Sequence, residues 1–423
     1  MKCHALVLLA GAVFTVHADD WPQFRGMNRD AVWSETGIMQ TFPQEGLKTT
    51  WKINVGSGLA SPVVAGGRVY LHGAELQQPK AHECLRCLDE KTGQEIWRHA
   101  YDVTYPDWAF DSKQNSGPNA TPIVHGGKIY ALGQMGDLFC LDAEKGGMLW
   151  HRNLMQDFGT KEFTGTTPSP LIEGGLLILP IGAGSGATVV AFDLETGKEI
   201  WRALDDPWTY ASPLVISAGG QRQLIVWTPK AVTSLDPASG KVWWREDIDT
   251  TNQYGSATPM QRGDRLLISG LMFQLDAAKP AATVLWPEGR SPTKVVLSAC
   301  SISLLQDGCV FSGKTNGHLV CLDANDGKIL WDNDQVTGKG QGGTIQLTPN
   351  GDSTLIFTDQ GNLIRARLSR DGYQELSRVH VVDPVQPFAG RKLIWPPPAY
   401  ANGHILIHNG GELVRASLTS NEP

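Results

Sequence analysis

A thirteen-residue pattern that returns along this chain of 423 residues limits what it can fold into. Leu319 to Trp331 reads as an apolar run ending in Leu-Asp, a Gly four residues after the Asp and a Trp eight residues after it. Asp89, Gly93 and Trp97 repeat it, as do Asp142, Gly146 and Trp150, then Asp193, Gly197 and Trp201, then Asp236, Gly240 and Trp244. Asp bonds its own following backbone and Gly accepts positive φ, so each Asp-x-x-x-Gly turns the chain between two antiparallel strands. Degenerate copies lie at Asp276, with Trp286 ten residues on and Pro280 in place of the Gly, at Ser369, without a Trp, and at Thr419. The eight marks are 53, 51, 43, 40, 47, 46 and 50 residues apart, the length of a four-stranded propeller blade.

A second signature precedes the first in each repeat. Ser61-Pro62, Thr121-Pro122, Ser169-Pro170, Ser212-Pro213 and Thr258-Pro259 each open an apolar run, a turn and a second run, with weaker versions from Ser301, Thr344 and Pro398. Two strand pairs per repeat predict an all-β, eight-bladed propeller of four-stranded antiparallel blades. The eighth repeat lacks its last strand, while Leu47 to Val55 is a spare strand carrying Trp51. This N-terminal strand is expected to close the ring and remove the open sheet edge.

Three regions follow: a secretory leader over 1–18, an N-terminal extension over 19–46 and the propeller over 47–423. Lys2, an apolar stretch from Ala5 to Val16 and a Val16-His17-Ala18 cleavage site mark the leader. The chain is therefore read as periplasmic or secreted, with no membrane span once the leader is removed. Gly 47 and Pro 25 fit many tight turns, because the apolar share stays at 41%. A net charge of −7 without a basic run excludes nucleic acid as a partner.

Leu-Asp-x-x-Thr-Gly-x-x-x-Trp, as in Leu88 to Trp97, resembles the repeat of the pyrroloquinoline-quinone-type (PQQ-like) propellers. Asp20-Trp21-Pro22-Gln23-Phe24-Arg25-Gly26 with Asn28-Arg29-Asp30 also resembles the opening of a group of exported members. The resemblance implies that Trp51, Trp97, Trp150, Trp201, Trp244, Trp286 and Trp331 dock between neighbouring blades. It leaves two functions, a non-catalytic propeller such as the outer-membrane assembly lipoprotein, or a quinoprotein alcohol or sugar dehydrogenase. The dehydrogenases resembled carry two adjacent cysteines, a Trp under the quinone, and Glu, Asn and Asp for calcium and base. No Cys-Cys pair occurs here, so a non-catalytic binding or scaffold module without cofactor is the expectation, and PQQ with calcium the alternative.

No other chemistry has a clear trace. Cys84-Leu-Arg-Cys87 could be a redox pair, but Leu88 stands where a haem motif needs His, and Cys87, Cys140 and Cys321 share one repeat position with Ala191 and Ser234. That is a slot for a small buried residue. The histidines lack metal-ligand spacing, and Gly338 to Gly343 has no helix after it to cradle phosphate. A ligand is instead expected on the face where loops enter the inner strands, which are long at Arg98 to Asn119 and Arg378 to Pro398, with a further extended connection from His72 to Glu83. Tyr105, Trp108, Asp111, Trp208, Tyr210, Tyr254 and Trp395 are the candidate residues, around blades eight, one and two, for an envelope protein or a small ligand. The alternative is that these aromatics only pack the channel mouth.

Overall fold

The computed structural model describes residues 20–111, 116–159, 167–248, 256–289, 297–298 and 300–420. Residues 1–18, where the sequence leads one to expect a leader, and Tyr254 lie outside them. Eight four-stranded antiparallel sheets form the blades of a propeller. Seven are built from consecutive strands. In the eighth, Ala399–Ala401, His404–His408 and Glu412–Ser417 are completed by the N-terminal strand Thr49–Asn54, with Trp51 opposite Arg415. The ring is therefore closed by hydrogen bonds between its two ends. Among the described residues no helix is long and apolar enough to cross a membrane.

Each blade runs outward from a short inner strand. In blade two, Ile123–His125 pairs with Lys128–Leu132 through Gly126-Gly127, then come Asp137–Asp142 and Met148–Asn153. The two middle strands are almost wholly buried and the outer strand alternates, as expected for blades packed face to face. The shared small-residue position sits directly under the Trp across the outer strand pair, Cys87 opposite Trp97, Cys140 opposite Trp150 and Cys321 opposite Trp331. These cysteines are fully buried free thiols. One residue before each Trp a β-bulge interrupts the register, which twists the outer edge and blunts it against further strand pairing.

The indoles join neighbouring blades by a repeated geometry. Trp51, Trp97, Trp150, Trp201 and Trp286 donate their ring N–H to the carbonyl of Glu90, Ala143, Leu194, Pro237 and Ala324, each the residue after the next blade's turn Asp. Their rings lie on the turn Gly: a Cβ added at Gly93, Gly146, Gly197, Gly240 or Gly327 would stand 2.6–2.8 Å from the indole. Trp331 reaches the Ser369 carbonyl at 2.9 Å, where blade seven has no Gly at that place. Trp244 also packs its ring toward the next blade, against Phe273, but donates its N–H to the Gln223 side chain of its own blade, while the Lys279-Pro280 turn packs against Gly219. Blade seven has no Trp of its own. There Phe42 of the extension donates its backbone N–H to Ser377 Oγ and packs into the core between blades seven and eight.

The connection from His72 to Glu83 is not a loop. Arg68–Gln77 and Lys80–Asp89 stay paired to the last residue, so the segment is a long two-strand arm of blade one turned at Gln78-Pro79. Alternating polar residues there hid the strands from a reading based on apolar runs.

The indole-on-glycine contact can be broken from either side. Trp150→Ala is expected to lower unfolding free energy by about 3–5 kcal/mol. Gly197→Ala, at φ +66 and against the indole, should also destabilise. In urea unfolding the double variant should lose clearly less than the sum, and strict additivity would mean that the two residues act separately.

Candidate functional site

The Ser/Thr-Pro signature forms a belt around the channel. The Ser61 N–H donates to Thr121 Oγ1, Thr121 N–H to Ser169 Oγ and Ser169 N–H to Ser212 Oγ, at 2.9–3.1 Å, and Ile345 N–H returns to Ser301 Oγ at 2.9 Å. The hydroxyls thus tie the entrance of one inner strand to the next. Proline beside them has no N–H to leave unpaired and presents its carbonyl.

Those carbonyls receive the extension, which crosses the ring from blade to blade. Trp21 forms an antiparallel bridge with Val64, the Pro22 carbonyl accepts from Val124 N–H, and Trp33 N–H donates to Pro349. Arg29 donates to Pro170 at 2.7 Å and Pro213 at 3.3 Å, and Arg25 to Pro259 at 3.1 Å. Both arginines are buried, and among the described residues neither is paired with a carboxylate. Burial lowers the Arg25 pKa to about 10, against a weak opposing pull from Asp30. Burial and the neighbouring Arg25 charge lower Arg29 to about 9. Both remain cations at neutral pH.

Above this floor lies a cavity of about 370 Å³. Phe24 and Arg25 form its base, and the belt hydroxyls Ser61, Thr121, Ser169, Ser212, Thr258 and Ser301 ring it. Trp108, Tyr210 and Trp395 wall the mouth. Trp108 stands on a 3-10 turn, Asp107–Phe110, and is 49% exposed. Trp395 donates its ring N–H to the Gly342 carbonyl at 3.2 Å and stands edge-on to Phe388. A hairpin of Gln386–Phe388 and Arg391–Leu393 presents it, pinned by Arg391 to the buried Asp359 at 2.7 Å. The Gly338 to Gly343 loop has a packing role here, because a Cβ at Gly342 would collide with Phe388 and one at Gly340 with Arg391.

The other candidates lie apart. Trp208 packs edge-on against Tyr210 without lining the cavity, and Asp111 ends the Trp108 turn, exposed. Tyr105 is not a surface residue: it is buried, and its hydroxyl donates to Glu83 at 2.7 Å. Tyr101 donates to the same carboxyl at 2.6 Å, and so does the Gln134 N–H at 3.1 Å. The Glu83 carboxyl beneath the loop, which accepts from Tyr105, is distant in sequence and was missed. Arg25, Arg29 and the hydroxyl belt were missed as site residues too, although their motifs stand in the sequence.

Burial raises Glu83 to about 7 in spite of these donors, and lowers the adjacent His72 to about 3. His72 is thus neutral, and its 3.5 Å approach to Glu83 is no ion pair.

A calcium-bound quinone would need carboxylate oxygens at the cavity. Among the described residues no Asp or Glu lines it, Asn119 is the one amide near the belt besides Gln134, and no group of three acidic, His or Cys side chains could hold a metal. The described walls therefore do not fit calcium with PQQ.

Because Glu83 keeps its proton more tightly when folded, its contribution to stability is full below pH 4.5 and falls as pH rises through 7. His72 acts oppositely, adding stability as pH rises from 3 to 6.5. In Glu83→Gln only the histidine remains, so the variant's stability relative to the unaltered protein should climb between pH 4.5 and 7 and then level. Urea unfolding across that range tests it, and a pH-independent difference would show Glu83 to be ionised throughout.

Comparison with known proteins places this geometry. The chain is similar to the outer membrane protein assembly factor BamB of Moranella endobia (strain PCIT), 24% identical over 63% of this chain and 69% of that protein. It is also similar to the quinohemoprotein alcohol dehydrogenase of Comamonas testosteroni, 27% identical over 53% of this chain but only 30% of that enzyme's length. Among solved structures, the crystal structure of that dehydrogenase superposes with a TM-score of 0.65 at 14% identity, covering 96% of this chain and 81% of that one. BamB from Moraxella catarrhalis superposes with 0.57 at 15% identity, covering 88% and 99%. At such identities the superpositions show the shared propeller fold alone. Residues 81–333 match the PQQ_2 family model, described as outer membrane protein assembly factor BamB, and the chain belongs to this family of PQQ-like propellers.

Proposed function

We propose that this chain is an exported, non-catalytic binding propeller of the cell envelope, whose leader spans 1–18, whose extension over 19–46 floors the channel and whose propeller over 47–423 forms the walls. The observation that carries this reading is the chemistry of the cup: a cationic floor, a hydroxyl belt and aromatic walls, without a carboxylate among its described lining residues. Such a lining holds a ligand by hydrogen bonds and flat apolar contact, and offers no acid and base pair to move protons. Relatives named as outer membrane assembly factors support an envelope role, with an envelope protein as the other occupant of the loop face.

A PQQ-dependent oxidoreductase is the second reading, supported by relatives named as quinone-dependent alcohol dehydrogenases. The chain spans about a third of their length, and it has no adjacent cysteines, the pair that resemblance to the dehydrogenases implies.

Calorimetric titration with PQQ and calcium, with alcohol-dependent dye reduction followed in the same samples, separates the two. No dye reduction is expected with any alcohol or sugar tried. Turnover that depends on added quinone would overturn the binding reading and make the protein an enzyme.

A further inference from the structure

Polar atoms without protein partners gather at the cup. Arg25 Nε, Ser61 Oγ, Ser116 Oγ, Asn119 Oδ1, Thr167 Oγ1 and Thr258 Oγ1 are all buried, all belong to cavity-lining residues and make no hydrogen bond among the described residues. A buried polar atom left unpaired costs on the order of 1–3 kcal/mol, and more when charged. Six around one cavity therefore point to a ligand that satisfies them.

Their chemistry narrows that ligand. Among the described residues Arg25, 3% exposed, has one carbonyl as its acceptor and no carboxylate in ion-pair contact, Asp30 acting on it only through space, so its remaining donors suit one anionic group. Arg29 is held by two carbonyls and does not line the cavity, which leaves a single guanidinium for a single charge. The hydroxyls and the Asn119 amide can each donate or accept, as hydroxyl groups on a ligand require. Trp108, Tyr210 and Trp395 give the lining an aromatic share against which a ring can pack. A cavity of about 370 Å³ is in the range of small-molecule sites.

We infer that the cup binds a sugar acid, a ring bearing several hydroxyls and one carboxylate, with the carboxylate on Arg25 and the hydroxyls on the belt. The inference rests on the binding reading above and names its ligand class. The source is either a free monosaccharide acid or the terminal residue of an acidic oligosaccharide.

Calorimetry of the purified protein with D-glucuronate, D-galacturonate and trigalacturonate, against D-glucose, tests it. Binding of an acid at least tenfold tighter than glucose is expected, and its presence in the monomers or in the trimer alone distinguishes the two sources. Arg25→Gln should abolish acid binding, Arg25→Lys should keep part of it, and Trp395→Ala should weaken acid and glucose alike. Because Arg25 also holds the floor, Thr258→Val serves as a variant of a hydroxyl that makes no bond among the described residues: it should fold normally, by thermal unfolding, and weaken the acid severalfold. Equal binding of glucose and glucuronate, or unchanged acid binding in both Arg25→Gln and Thr258→Val, would overturn the sugar-acid assignment while leaving a binding cup. Failure of every acid to bind also overturns it. Quinone-dependent dye reduction, by contrast, would bring down the binding reading itself.

Discussion

The ring depends on the contact between an outer-strand indole and the turn of the next blade. Its N–H reaches the carbonyl after the turn Asp, and its face needs the space that only Gly leaves there. One contact thus fixes distance and angle between two sheets that share no strand hydrogen bonds. The Asp, Gly and Trp that stand eight residues apart in one repeat act in two different interfaces, since the turn receives one indole and the strand after it supplies another. That is why the repeat is legible as a unit although no single blade uses it alone.

Where this contact lapses, something else fills the gap. The Trp244 N–H goes to Gln223, which also accepts from Ser234 within the same blade, while the ring packs on Phe273 of the next. Blade seven supplies no Trp, and Phe42 occupies the seam with blade eight. The N-terminal 35 residues described thereby have three tasks in succession: Trp21 to Trp33 floors the channel, Ile38 to Phe42 covers a seam, and Thr49–Asn54 completes the last blade. Bringing two arginines into the floor is costly without carboxylates, because carbonyls replace only part of the lost hydration. A floor built for stability alone would be met more cheaply by apolar residues.

Blade count, strand order and closure were legible because each leaves a local mark: a turn Gly, a Ser-Pro at a strand start, a spare strand with Trp51. The site was legible in part. Trp108, Tyr210 and Trp395 reach the channel mouth, since aromatic loops that enter inner strands converge on the axis. Tyr105 was misread, because its position follows from Glu83 on a neighbouring strand, 22 residues away, and a loop sequence carries no sign of the acid beneath it. Arg25 and Arg29 stand in a motif visible in the sequence, yet their role lies in contacts across more than a hundred residues, which spacing alone does not encode.

Glu83 shows why a perturbed carboxyl is not by itself a catalytic one. A pKa near 7 suits a general acid. Yet both oxygens of Glu83 are engaged, by Tyr101, Tyr105 and the Gln134 N–H, and the residue is fully buried behind the cavity wall rather than in it. No substrate atom could approach it without displacing a tyrosine. What the carboxyl does reach is the backbone of Gln134, whose side chain lines the cavity. Its physical effect is to anchor the seam between blades one and two, and with it one wall of the cup.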